Sequence, residues 1–130
     1  MVEYKHSLNK GLATCLYKLA LSGGGPINLN KLGFTYPQRS NFQKLAYWNL
    51  AKRFSPNNPN DIKGGDWIMT QDGWDFIKGR LSMPKSVWSY RGEFVKYEGN
   101  KMPVEMLVDD YQYRPEWAEE ARPHTQRSLF

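Results

Sequence analysis

The chain has 130 residues, of which 40% are hydrophobic and 24% are charged, a balance typical of one globular domain. No apolar run approaches the roughly 18 residues that span a bilayer, and the N-terminus lacks a signal-peptide core, so we expect a cytoplasmic protein without a membrane partner. Cys15 is the only cysteine, which excludes an internal disulfide and a cysteine-rich zinc cluster. We therefore predict no metal and no other cofactor.

The net charge of +5 is unevenly distributed along the chain. Residues 1–60 contain eight lysines and arginines against Glu3 alone, whereas residues 61–130 contain ten cations against twelve acids. A basic surface attracts phosphate-rich partners through Coulomb attraction and through the release of counterions. We therefore expect any binding of a nucleic acid or another polyanion to involve the first half of the chain.

The pattern of the first 34 residues predicts two helices separated by a short strand. An apolar stripe at helical spacing indicates an amphipathic helix from about residue 4 to residue 22, which the glycines at 23–25 end. Residues 27–34 alternate at first and then offer Asn30 as an N-cap, which favours a short strand or turn followed by a brief second helix. The stripe consists of Leu8, Leu12, Cys15, Leu16 and Leu19.

A third helix is predicted to begin at Ser40, because residues 40–43 (SNFQ) match the capping-box pattern. At about 100° per residue, this helix has two different sides. One side contains Phe42, Leu45, Ala46 and Asn49, and the other contains Lys44, Tyr47, Trp48 and Ala51. Solvent does not favour two large aromatic residues beside a lysine. The second side is therefore expected to contact a groove, a base stack or a partner, with packing in the core or at a dimer interface as the alternative for the aromatic residues.

The second half of the chain is predicted to be rich in strands. Residues 55–65 contain two prolines and two glycines and form the loop of a projecting hairpin, and residues 66–69 follow as a strand. Thr70 begins a helix that Gly79 ends. Strands at 87–90 and 93–97 flank a turn at Arg91-Gly92, residues 104–108 add a third strand, and an acidic tail follows from Asp109. Trp67, Trp74 and Phe76 are expected in the core.

This order of elements is that of a winged helix-turn-helix, and one segment supports the likeness. Residues 67–76 (WIMTQDGWDF) resemble the W-x-x-T-x-x-G-x-x-F signature that follows the wing in MarR-type and related winged-helix proteins. Together with residues 41–50 (NFQKLAYWNL), 78–79 (KG) and 84–87 (PKSV), this segment is similar to a family of small phage and mobile-element proteins. The resemblance covers roughly residues 35–98.

The resemblance implies an α+β fold, with a winged helix-turn-helix core over residues 1–80. A β-hairpin extension and the acidic tail then occupy residues 81–130 of the same compact domain. Relatives in that family often have a cysteine pair near the N-terminus that could hold zinc, and because this chain has only Cys15, no metal is carried over from the resemblance. Asn49 also stands where the family has a glycine after the tryptophan.

In this frame the protein is a non-enzymatic regulator that acts by occupying a nucleic acid, duplex DNA in the first instance, in the cytoplasm of a host cell. The helix from residue 40 to about residue 49 is the recognition helix, residues 55–65 are the wing, and a homodimer is left open. The helix residues expected to contact the nucleic acid are Arg39, Gln43, Lys44, Tyr47 and Trp48, and the expected phosphate neighbours are Lys52, Arg53 and Lys63.

Catalysis is not expected from any pair of reactive side chains. His6 and Cys15 are nine residues apart on the predicted first helix and point in opposite directions, and Cys15 lies on the apolar stripe as a core thiol. The paired carboxylates at 72 and 75 and at 109 and 110 have no phosphate loop or nucleophile motif beside them. We therefore interpret them as surface charge.

The alternative function is inhibition of a host defence system. Small phage proteins with winged-helix cores include anti-CRISPR proteins, which bind a nucleic-acid-processing protein complex of the host. An acidic surface suits the arginine-rich groove of such a complex, and an aromatic hairpin suits a protein interface or a dimer contact. The residues expected to bind such a partner are Trp88, Tyr90, Asp109 and Asp110.

Overall fold

The computed structural model describes residues 3–54 and 66–117, and these form a mixed α+β fold with two three-stranded antiparallel sheets. The predicted wing at 55–65, with Lys63, and the tail from residue 118 lie outside the described residues. The strands are β1 (Tyr4–Ser7), β2 (Ile27–Asn28), β3 (Ala51–Arg53), β4 (Asp66–Met69), β5 (Met83–Tyr90) and β6 (Glu93–Met102). The helices are α1 (Lys10–Leu21), α2 (Tyr36–Phe42) and α3 (Gln71–Ile77), with 3₁₀-helices at Leu29–Leu32, Gln43–Trp48 and Val104–Met106.

The first helix begins six residues later than predicted. Asn9 caps α1, since its Oδ1 accepts a hydrogen bond from the Leu12 backbone N–H at 2.9 Å, and the chain before it is the strand β1. The apolar stripe from Leu8 to Leu19 is buried, as its spacing predicts. The predicted start at Tyr4 is wrong because the capping amide of Asn9 and the pairing of β1 with β5 outweigh a continuous helical pattern.

The segment after α1 has the predicted strand and short helix. Asn28 caps the 3₁₀-helix Leu29–Leu32 by accepting a hydrogen bond from the Asn30 N–H, so the cap lies two residues before the predicted one. β2 pairs with β4, and β4 pairs with β3, so that β4 is the central strand of this sheet.

The segment from Tyr36 to Trp48 differs from the predicted third helix. The capping box is made by Thr35 and Gln38, not by Ser40 and Gln43, and α2 therefore begins at Tyr36. From Gln43 the chain continues as a 3₁₀-helix, which we call the 3₁₀ segment.

A 3₁₀-helix has three residues per turn, so residues three apart lie on the same side. Phe42, Leu45 and Trp48 are consequently all buried, whereas Ala46 and Asn49 are exposed. The predicted division of this segment into two sides assumed an α-helical period and is wrong at Ala46, Trp48 and Asn49. It is also wrong at Ala51, which is buried on β3. Asn49 ends the segment in the left-handed conformation with φ of 59°, which asparagine adopts more readily than most residues other than glycine.

Thr70 and Gly73 connect α3 to the end of the 3₁₀ segment. The Thr70 hydroxyl caps α3 by accepting from the Gly73 N–H at 2.9 Å and donates to the backbone oxygen of Asn49. A Cβ atom at Gly73 would lie 2.0 Å from the backbone oxygen of Leu50, so only glycine permits this approach. The predicted strand at 66–69 and the predicted helix start at Thr70 are confirmed.

The larger sheet has the order β1-β5-β6. Its predicted hairpin is confirmed, with Arg91 and Gly92 at φ of 52° and 78°, the positive values that a two-residue turn of type I′ requires. The third strand is β1 and not residues 104–108, which instead contain a short 3₁₀-helix that buries Val104. Both sheets and the helices share one apolar core, which contains Trp67, Trp74 and Phe76 as predicted. No helix within residues 3–54 and 66–117 is long and apolar enough to cross a membrane.

Candidate nucleic-acid interface

A groove of about 570 Å³ lies where β1, the 3₁₀ segment, β3 and the tip of the β5–β6 hairpin meet. We call it the basic groove. Among the described residues its lining contains three cations and no acid. The polar lining consists of His6, Gln43, Lys44, Tyr47, Lys52 and Arg53, and Ala46, Trp67 and Gly92 complete it.

The local structure explains why these cations face one space. Lys44 and Tyr47 are three residues apart on the 3₁₀ segment and therefore lie on the same side. Lys52 and Arg53 are exposed on β3, an edge strand that pairs with β4 on its other side. The Arg53 guanidinium lies 5.1 Å from the centre of the Trp67 ring and donates to Gln43 Oε1 at 3.5 Å. The 3₁₀ segment and β3 thus form two walls of the groove.

His6 supports Tyr47 in the groove. The two rings stack with centroids 5.0 Å apart and an interplanar angle of 12°, and His6 Nε2 is hydrogen-bonded to Ser89 Oγ at 2.8 Å. Burial, and then the positive charge of Lys44, lower the pKa of His6 below its ordinary 6.5. The imidazole is therefore mostly neutral at pH 7, and the positive charge of the groove comes from its lysines and arginine.

The basic groove contains five of the residues that the sequence predicts to bind a nucleic acid: Gln43, Lys44, Tyr47, Lys52 and Arg53. It does not contain Arg39, which donates to the Phe34 backbone oxygen at 2.8 Å and lies 6.0 Å from the Tyr36 ring. Trp48 is fully buried, and its indole N–H donates to the Pro84 backbone oxygen at 2.8 Å. Trp48 is therefore a core residue, and its prediction as a nucleic-acid contact is wrong.

A second cavity, of about 330 Å³, lies beside the groove between β1, the N-terminal half of α1, α2 and the start of the 3₁₀ segment. We call it the inner cavity. His6 and Lys44 line both spaces. Cys15 also lines the inner cavity, so His6 and Cys15 face a common space instead of pointing apart on one helix. Their predicted separation is wrong because His6 lies on β1 and only Cys15 lies on α1.

Sequence reasoning missed His6 and Gly92 as parts of the groove. Asn9 offered a signal for His6, because an N-cap at this position ends the helix before His6 and releases the preceding residues to form a strand. Gly92 had no such signal. It reaches the groove through the packing of a hairpin that begins about thirty residues further along the chain than β3.

The predicted protein-binding residues are partly occupied by neighbours in their own chain. Trp88 is half-buried, donates to Glu98 Oε1 at 3.1 Å, and has the ammonium groups of Lys5 and Lys96 at 5.8 and 5.7 Å from its ring. The Arg91 guanidinium lies 5.1 Å from the Tyr90 ring.

The two aspartates of that prediction are exposed. Asp109 Oδ1 lies 3.5 Å from Lys10 Nζ, and Asp110 has a positive φ of 58°. Binding of a host protein through these four residues stays a prediction.

Within residues 3–54 and 66–117, no group of three or more histidine, cysteine, aspartate or glutamate side chains is placed to hold a metal ion. No protein-family model, curated protein or solved structure matches the chain.

Proposed function

We propose that this protein is a non-enzymatic winged-helix regulator of a phage or mobile element that binds duplex DNA in its basic groove. The observation that supports this most strongly is the convergence of Lys44, Lys52 and Arg53 with Gln43 and Tyr47 on a groove that contains no described acid. Cations concentrated on a concave surface attract the phosphate backbone and release its counterions on binding.

The arrangement of the smaller sheet also supports the proposal. Its order β2-β4-β3 joins two strands, β3 and β4, whose connection occupies residues 55–65, the position of a wing. The segment from Tyr36 to Trp48 precedes β3, which is the position of a recognition helix. Fold alone does not establish function, and the charge of the groove is the stronger support.

In this proposal the side chains have separate roles. Lys44, Lys52 and Arg53 contact phosphate oxygens and position the protein on the duplex. The amide of Gln43 forms hydrogen bonds with base edges, and the phenol of Tyr47, fixed by its stack on His6, contacts the backbone or a sugar. Trp48 anchors the 3₁₀ segment to β5 from below and touches no nucleic acid.

The test is fluorescence anisotropy of a labelled mixed-sequence duplex at about 50 mM salt, where electrostatic binding is strong. The double variant Lys44→Glu with Arg53→Glu is expected to lose affinity on the order of a hundredfold. The matched control is Lys96→Glu with Lys101→Glu on β6, which changes the net charge equally outside the groove. Circular dichroism checks that both variants fold.

The control separates the groove from total charge. If the β6 variant keeps its affinity within about threefold, the groove is the binding surface, because the two variants have equal net charge. Equal losses in both variants, or no binding of the wild-type protein at low salt, would contradict the proposal.

A further inference from the structure

The inner cavity has the size of a site for a small molecule. Its volume of about 330 Å³ lies at the lower end of the range of small-molecule sites, roughly 300 to 1,000 Å³. Leu12, Cys15 and Pro37 provide an apolar surface, and polar side chains from three elements surround it. Seven of its eleven lining residues are polar, so the cavity suits a small ligand with a charged or polar group and a small apolar part.

The polar lining of the inner cavity offers hydrogen-bond donors. Asn9 Oδ1 accepts from the Leu12 N–H and Gln38 Oε1 accepts from the Thr35 N–H, so the two amide oxygens are engaged within their own helix ends. Their NH₂ groups are the donors that remain. Lys44 forms no ion pair within residues 3–54 and 66–117, and the described lining of the cavity contains no aspartate or glutamate.

We infer that the inner cavity binds a small organic anion, with its carboxylate or phosphate group at Lys44, Asn9 and Gln38 and its apolar body on Leu12 and Pro37. Charge-assisted hydrogen bonds from a lysine and two amides match the several acceptor oxygens of either anionic group. Lys5 is a weaker partner, because its ammonium is already 2.6 Å from Glu98 Oε2.

The occupant of the cavity also regulates the groove, and this part of the inference rests on the proposed function. His6 and Lys44 line both spaces, so an anion in the cavity and a DNA phosphate in the groove compete for the ammonium group of Lys44. Coupling between two binding sites is reciprocal, so a bound duplex lowers the affinity for the anion by the same factor as the bound anion lowers the affinity for the duplex. The protein thus dissociates from its DNA when the small anion accumulates.

Calorimetry without nucleic acid tests the cavity by itself. The probes are inorganic phosphate, adenosine monophosphate and benzoate, which separate the bare anion from a phosphate ester and from a carboxylate. We expect one or both organic probes to bind at least tenfold more tightly than inorganic phosphate. Absence of binding by both organic probes, or equally weak binding of all three, overturns the inference.

Gly11→Glu tests the location of the site. Gly11 lines the cavity and not the groove, and a Cβ atom there would meet only Asn9 Oδ1, at 3.4 Å. The first turn of α1 has no acid, so a glutamate there suits the helix. Ser40→Glu, exposed on α2 outside the cavity, is the control of equal charge.

We expect Gly11→Glu to lower the affinity for the organic probe at least tenfold and Ser40→Glu to change this affinity less than threefold. Equal effects of the two variants overturn the assigned location.

The regulatory part is tested by anisotropy of the labelled duplex with and without the organic probe. Saturation of the cavity with the probe is expected to lower the affinity of the wild-type protein for the duplex at least about fivefold, within the usual range of coupling between sites. The probe is expected to have no effect on Gly11→Glu. Calorimetric binding without any change in duplex affinity overturns the coupling and leaves the cavity site standing. Absence of duplex binding altogether overturns the proposed function and not the cavity.

Discussion

The basic groove and the outer face of the β5–β6 hairpin both contain lysines beside aromatic rings, but the lysines are used differently. In the groove, Lys44 and Lys52 line a concave space with no described acid. On the hairpin, Trp88 lies between Lys96 and Lys5 of the adjoining strand β1, and Glu98 forms an ion pair with Lys5 at 2.6 Å. A lysine is therefore available to a polyanion only where the fold keeps carboxylates away from it, and the number of cations in a segment does not reveal this.

The largest expected difference between the two regions is in their tryptophans. Trp48→Ala, below the groove, is expected to lower the free energy of unfolding by about 3–5 kcal/mol, because it empties a fully buried site and leaves the Pro84 oxygen without its donor. Trp88→Ala, on the hairpin, is expected to cost about 1 kcal/mol, because the ring is partly exposed and loses mainly its cation contacts. Urea denaturation of both variants measures the difference, and similar midpoints would remove the contrast.

A smaller effect is expected on the salt dependence of duplex binding. Lys52→Ala is expected to reduce the slope of log affinity against log salt by about 1, as removal of one phosphate contact does. Lys96→Ala is the matched control and is expected to leave the slope unchanged, because its ammonium lies over Trp88. Anisotropy titrations over a range of salt concentrations measure both slopes. A reduced slope for Lys96→Ala would mean that the hairpin face also contacts DNA.

The smallest expected effect is a difference in pH dependence. The pKa of His6 is lowered by burial and by Lys44, so below pH 6.5 the unfolded chain binds more protons at this site than the folded chain. The contribution of His6 to stability is therefore present above pH 6.5 and decreases as the pH falls below it. The side chains in contact with His6 are Tyr47 and Ser89, and the positive charge of Lys44 adds repulsion against its protonation.

On the hairpin, hydrogen bonds from Lys5 and Trp88 lower the pKa of Glu98 below its ordinary 4.5. This contribution to stability is present above pH 4.5 and decreases only as the pH falls through the lowered pKa.

NMR titration of the imidazole measures the His6 pKa, with His124→Gln identifying the signal. Urea denaturation is expected to give a lower free energy of unfolding at a pH of about 5.5 than at about 7.5, and His6→Gln is expected to reduce this difference. An imidazole pKa at or above 6.5 would contradict this account.

The elements that the sequence predicts correctly are determined by local chemistry. The apolar stripe of α1, the cap at Thr70 and the turn at Arg91-Gly92 each depend on a few neighbouring residues. The errors come from competition between local signals or from distant contacts. Two capping boxes were possible, at Thr35 and at Ser40, and the chain uses the first. β1 exists because it pairs with β5, about eighty residues away.

The same distinction explains the candidate site. Charge and residue type were sufficient to select Lys44, Lys52 and Arg53, since the first half of the chain has almost no acid. The side on which Trp48 lies depends on the number of residues per helical turn. The change from an α-helix to a 3₁₀-helix at Gln43 therefore places its side chain in the core and not on the predicted outer side. The inner cavity lies between α1, β1 and α2, and no pattern within one of these elements predicts it.

The contact of Gly73 with the backbone oxygen of Leu50 has a consequence for how such a protein can evolve. The contact involves main-chain atoms, and the Thr70 hydroxyl reinforces it by donating to the main-chain oxygen of Asn49. This part of the frame therefore depends on main-chain atoms and not on the side chains at positions 44 and 52. Substitutions at these two positions are expected to change the surface of the groove without disturbing that frame, whereas the threonine and the glycine must stay.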